Sequence, residues 1–95
     1  LKDQEFMTLE LWFVYILRCA DASLYTGVST DVRRRVEEHN SGKPPGARYT
    51  SGRRPVVLVY VEAAANRSAA QRREREIKAL NRDGKLALIA AAGSE

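Results

Sequence analysis

From Leu11 to Cys19 the chain reads LWFVYILRC, apolar and aromatic with no 3.6-residue period. In a run this short, that pattern predicts a buried strand rather than a helix. ADAS then supplies a turn, and Leu24 to Val28 resumes a β-like pattern. Residues 11–29 therefore read as a hairpin, with Gly27 marking a bulge or a close backbone approach. Tyr15 and Tyr25 consequently fall on neighbouring antiparallel strands.

STDVRRRVEEHNSG follows as a helix whose start Ser29, Thr30 or Asp31 can cap and whose end Asn40 to Gly42 marks. Val32 and Val36, one turn apart, define its buried stripe. Arg35 and His39 each lie about 60° from one of those valines, in a row at the edge of the core-facing side. KPPGARYTSGRRP holds all three prolines and reads as a loop, and VVLVYVE as a central strand. A second helix, NRSAAQRREREIKALNRDG, offers Ser68 and Gln71 as a capping box and a face of Ala70, Arg73, Ile77 and Leu80. Arg73 falls on the margin of that face with its head in water, and Glu74 on its shoulder. KLALIAAA closes the chain as a short helix. The fold expected is α+β: a small three-stranded antiparallel sheet flanked by helices, in the order β-β-α-β-α-α.

Length and composition narrow this without changing it. Ninety-five residues suit one domain. The opening LKDQEF has no pattern and reads as a vector-derived remnant over residues 1–6, with a native start at Met7 and a single domain over 7–95. The apolar runs fall far short of the ~20 residues that span a bilayer, so a soluble, cytoplasmic protein without membrane contact is expected. One cysteine excludes an internal disulfide, and one Cys with one His cannot close a four-ligand zinc site. The net charge of +4 is uneven: five Lys and Arg face seven Asp and Glu over residues 1–42, but eleven face five over residues 43–95. The second half is suited to an anionic partner.

Taken singly, the polar candidates are ordinary. A buried Tyr finds a hydrogen bond, His39 suits a helix C-terminus, and Glu74 pairs most simply with Lys78 one turn on. Taken together they are parts for phosphodiester hydrolysis. A guanidinium can hold phosphate oxygens, a phenolate or imidazole can take a proton from water, and a carboxylate can hold a divalent cation. A tyrosine serves as base only if nearby cations favour its ionised form, since its ordinary pKa is ~10.

The order Tyr15, Tyr25-Thr26-Gly27, Arg35, His39, Glu74, with RRRVEEHN between, resembles the GIY-YIG nuclease domain over about Leu11 to Ile89. The likeness is greatest to small single-domain bacterial GIY-YIG proteins. It implies that Tyr15 and Tyr25 surround a water nucleophile, Arg35 contacts the scissile phosphate, His39 supports the base or the phosphate, and Glu74 is the protein ligand to Mg²⁺ or Mn²⁺. Phe13 stands where the family's first motif has glycine, and Thr26 where the second has isoleucine.

Lys43, Arg48, Arg53 and Arg54 in the loop, with Arg72, Arg73 and Arg75 on the second helix, are the candidate DNA-backbone contacts. No base-reading motif is present, so recognition of DNA shape rather than sequence is expected. The leading expectation is a metal-dependent endonuclease acting in DNA repair or recombination, without a small-molecule cofactor. The alternatives are a catalytically weak or inactive DNA-binding accessory module on the same fold, and a domain whose basic surface meets an acidic protein partner.

Overall fold

A computed structural model describes residues 11–93. The expected remnant over residues 1–6 and the start at Met7 lie outside that range. Strand β1 (Trp12–Arg18) pairs antiparallel with β2 (Leu24–Ser29) on one side and with β3 (Val57–Ala64) on the other. The sheet order is thus β2-β1-β3, with helices α1 (Val32–Ser41), α2 (Arg48–Ser51), α3 (Arg67–Lys78) and α4 (Arg82–Ala92) around it. This is the α+β, three-stranded arrangement that the pattern predicts.

The central strand is β1, and the reason is visible in its alternation. Val14 and Ile16 pack towards Ala70 and Ile77 of α3 and Leu88 and Ile89 of α4, while Tyr15 and Leu17 pack towards Val32 and Val36 of α1. Buried on both faces, β1 has no polar position to alternate with, hence its continuous apolar run. VVLVYVE, expected to be central, is instead an edge strand: Val57, Leu58 and Val61 are all exposed. Its apolar run reflects β propensity together with a face that no described element covers. An irregularity between Ile16 and Leu17, which pair with Tyr60 and Leu58, leaves Val59 as the extra residue of a bulge.

Local chemistry sets the helix ends. Asp31 caps α1 by accepting from the Arg34 amide at 3.1 Å, and Gly42 closes it in the left-handed region at φ 75°. Asn66, not the expected Ser68–Gln71 box, caps α3 by accepting from Ala69 N. Asn66 has the extended backbone that a cap requires, whereas Ser68 already lies within the first turn. Helix α4 begins a turn before Lys85 because Asn81 caps it through the Gly84 amide. Leu80 lies beyond α3 and is exposed rather than on its buried face.

The proline-rich loop is tied at several points and contains the single turn α2. Asn40 clamps its exit, donating to Val56 O at 3.0 Å and accepting from Val56 N at 2.7 Å. The Ala20 amide donates to Arg53 O at 2.9 Å, joining the loop to the β1–β2 turn. Sequence periodicity could not reveal this order, because one helical turn is too short to show a period.

Candidate functional site

The register of β1 and β2 sets Tyr15 opposite Gly27 and Leu17 opposite Tyr25, so both tyrosines face the side on which α1 packs. Gly27 is there because of Tyr15. A Cβ at position 27 would stand 2.6 Å from the Tyr15 hydroxyl oxygen. This is the close approach that the sequence leaves open beside a bulge.

Behind Gly27, polar side chains form a directed chain. The Tyr15 hydroxyl lies 3.0 Å from His39 Nε2, and His39 Nδ1 lies 2.8 Å from Thr50 Oγ1. Thr50 Oγ1 in turn donates to Ala47 O at 3.0 Å. Because a hydroxyl carries one proton, Thr50 must accept from His39 Nδ1–H, which leaves Nε2 to accept from Tyr15. His39 is therefore a neutral imidazole protonated on Nδ1. It is 1 % exposed and both ring nitrogens are satisfied, which makes it the deepest residue of α1, while Val32 and Val36 are only half-buried. The expected edge-of-core position for His39 is thus corrected: the two partners offset the cost of burying its ring.

The electrostatics agree with that proton arrangement. Burial, and secondarily the positive charge of Arg35, push the His39 pKa down to about 4. Burial, helped by Tyr25, pushes the Tyr15 phenol up to about 12, against the opposing pull of Arg35. Near neutral pH Tyr15 is thus held as the protonated phenol rather than the phenolate that a base requires, while His39 is a neutral imidazole of low basicity whose Nε2 already accepts from Tyr15.

Arg35 projects from α1 near Tyr15, but its guanidinium donates to Glu38 Oε1 at 2.9 Å and to Pro45 O. Glu74, on α3, acts on Tyr15 through its charge, yet its carboxylate pairs with Lys78 Nζ at 3.2 Å. No hydrogen bond joins Glu74 to Tyr15, Tyr25, Arg35 or His39 among the described residues. Nor do those residues contain a group of three or more His, Cys, Asp and Glu side chains able to hold a metal ion. Glu74 is a single carboxylate paired with a lysine, and Mg²⁺ held by one or two carboxylates ordinarily keeps waters for the rest of its shell.

At the mouth of the site, Tyr25 turns its ring edge-on to His39 at 5.0 Å and stacks with Tyr49 of α2 at 5.9 Å. The Arg53 guanidinium lies 4.0 Å from the centroid of the Tyr49 ring. Arg53 is also paired with Asp21 at 3.0 Å. Tyr49 and Thr50 were not among the residues picked out in the sequence. The signal for Tyr49 was an aromatic set between bases in ARYTSGRR, whereas Thr50 carried none.

The seven candidate backbone contacts separate into distinct settings. Lys43 and Arg48 are exposed and line a recess of about 300 Å³ beside His39. Arg54 turns back onto the end of α1, donating to Ser51 O and Asn40 O. On α3, Arg72 and Arg75 are exposed, but Arg73 pairs with Glu62 at 3.0 Å and Glu76 at 3.1 Å rather than holding its head in water. The α3 bases thus stand on a different element from the loop bases, and one of them is internally neutralised.

The family model described as the GIY-YIG catalytic domain matches residues 11–87. Relatives include a UPF0213 protein of Desulfotalea psychrophila, 53 % identical over 85 % of this chain and 73 % of that protein. One of Haloquadratum walsbyi is 58 % identical over 77 % of this chain and 80 % of that protein. The solution structure of a UPF0213 protein from Bacillus halodurans is 46 % identical, covers 88 % of this chain and 87 % of its own, and superposes with a TM-score of 0.57. That of an E. faecalis protein is 37 % identical, covers 90 % and 88 %, and reaches 0.61.

These comparisons correct the leading functional expectation. None of these relatives' names carries a nuclease activity, and the described residues gather no group of three or more metal-ligating side chains. The reading as a magnesium-dependent, phosphodiester-hydrolysing endonuclease is therefore replaced by the binding-module reading. With the hairpin tyrosines, Gly27, Arg35 and His39 in one site and a family model spanning residues 11–87, the chain belongs to the GIY-YIG family, alongside the UPF0213 proteins.

Proposed function

We propose that this small GIY-YIG protein is a DNA-binding accessory module with weak or lost catalysis, gripping the sugar-phosphate backbone rather than cutting it. The observation that carries the reading is the division of the site into two parts. The inner chain Tyr15–His39–Thr50 is buried, uncharged and internally satisfied, whereas the rim presents the Tyr25–Tyr49 stack, Arg53 and the exposed Lys43 and Arg48. Cations beside an aromatic pair suit a phosphate chain with its sugars and bases. The net positive charge of residues 43–95 would draw such a polyanion in.

Fluorescence anisotropy on labelled duplex and branched DNA tests the reading. Affinity should fall on the order of tenfold or more between low and physiological salt, as release of counterions requires. A parallel incubation of plasmid with Mg²⁺ or Mn²⁺ should leave wild type and Glu74→Ala indistinguishable. Absence of affinity at low salt would remove the nucleic-acid reading in favour of an acidic protein partner. Efficient cutting that Glu74→Ala abolishes would overturn the accessory role.

A further inference from the structure

A three-stranded sheet is wider than one helix can cover, since strands lie ~4.8 Å apart and a helix with its side chains is ~10 Å across. On the Tyr15 side of the sheet, the β3 half is left bare. Phe13, Leu58 and Val61 form an apolar floor against the α1 wall of Val32 and Val36, in a groove of about 560 Å³. Leu58 and Val61 are 40 % and 49 % exposed. Among the described residues β3 pairs with β1 alone, so its outer edge offers unpaired backbone groups beside that floor.

The rim indicates what fits there. Arg33 and Glu37 stand one turn apart on the groove wall, and neither has an ion-pair partner among the described residues, whereas Arg34 and Arg35 both close on Glu38. Two opposite charges in line beside an apolar floor are complementary to the same surface rotated by a two-fold axis. Arg33 then meets Glu37 of the second copy, and Glu37 meets its Arg33. Asp31 also borders the groove, so the rim charges sum to −1, the wrong sign for a nucleic acid.

We infer that this face joins two copies of the chain about a two-fold axis beside β3, with Phe13, Leu58 and Val61 at the apolar centre and Arg33 and Glu37 at the charged rim. That anatomy, an apolar core within a polar margin, is the ordinary one for association between proteins. Tyr25 lies on β2, the opposite edge of the sheet, so the dimer leaves both aromatic rims open.

Sedimentation equilibrium on the full chain over a concentration series tests this. The expected result is a monomer–dimer equilibrium whose dissociation constant rises at least ~10-fold in Val61→Glu, with an unchanged circular dichroism spectrum because Val61 is half exposed. Should that variant unfold, the charge pair decides: Arg33→Glu and Glu37→Arg each weaken self-association, and mixing the two restores it. A monomer at every concentration overturns the inference. So does a dimer indifferent to these substitutions, or a pair of charge variants that fail to rescue each other. Nuclear Overhauser contacts placing residues 1–10 on Val61 in a full-length monomer would also overturn it.

Discussion

The Tyr15 hydroxyl donates to His39 Nε2 across 3.0 Å, joining the central strand to the helix that follows the hairpin. Since Thr50 accepts from the single ring N–H on Nδ1, the imidazole is a neutral bridge between β1 and the proline-rich loop, and its protonation would turn Nε2 from acceptor to donor and force the Tyr15 hydroxyl to reorient.

Stability should therefore rise with pH through the acid range. The folded-state pKa of His39 is lowered to about 4 from the ordinary 6.5, so the unfolded chain binds more protons between those values. The contribution is full above pH ~6.5 and is lost as pH falls towards 4, with a slope approaching ~1.4 kcal/mol per pH unit. Urea unfolding at a series of pH values should show this slope, and His39→Gln should flatten it. A ¹⁵N titration that finds His39 charged at pH 6 would contradict the arrangement.

At the alkaline end the sign reverses. Tyr15 is raised to about 12, so the unfolded chain ionises first above pH ~10 and stability falls from there towards 12. Tyr15→Phe should remove that alkaline loss, at a cost near neutrality of ~1–3 kcal/mol for the His39 acceptor left unpaired in the interior.

Gly27→Ala should be costly although it adds only one methyl group. The new Cβ would lie 2.6 Å from the Tyr15 oxygen, and the ring is only 1 % exposed, so it has no open space into which to retreat. Overpacking of this kind costs ~1–3 kcal/mol. Thermal melting should register the loss, and the His39 ring resonances should shift as Tyr15 is displaced.

Ala22→Gly should act the other way. Ala22 occupies the left-handed region at φ 70° in the hairpin turn, where its amide donates to Cys19 O at 2.9 Å. A Cβ there costs ~1 kcal/mol, partly offset by the added freedom of glycine in the unfolded chain. The melting temperature should rise by a few degrees, ~4–8 °C per kcal/mol for a domain of this size.

The loop bases and Arg73 should differ in DNA binding. Lys43→Ala and Arg48→Ala should each lower the slope of log affinity against log salt by ~0.9, as loss of one phosphate contact does. Arg73→Ala should leave that slope unchanged, because its guanidinium is held by Glu62 and Glu76. Equal effects from all three would mean that the Arg73 ion pairs open on binding.

Much of this protein is legible in one dimension. The hairpin, the helix after it with its cap, and the existence of the helix pair at the C-terminus follow from local composition, and the order of Tyr15, Tyr25, Arg35, His39 and Glu74 suffices for the family. Such features survive reading along the chain because each depends on residues within a turn or two of one another. What the fold alone decided depends on contacts between distant segments. VVLVYVE has the composition of a central strand, yet its neighbour on the outer side is absent among the described residues, and no local pattern records that. His39 became the deepest residue of its helix because Tyr15, 24 positions earlier, and Thr50, 11 positions later, each satisfy one ring nitrogen. Burial driven by the sheet and the loop then set the protonation of Tyr15 and His39, turning two candidate bases into a closed hydrogen-bond chain. Residue order supplies the groups, but desolvation and pairing across the fold determine their charge.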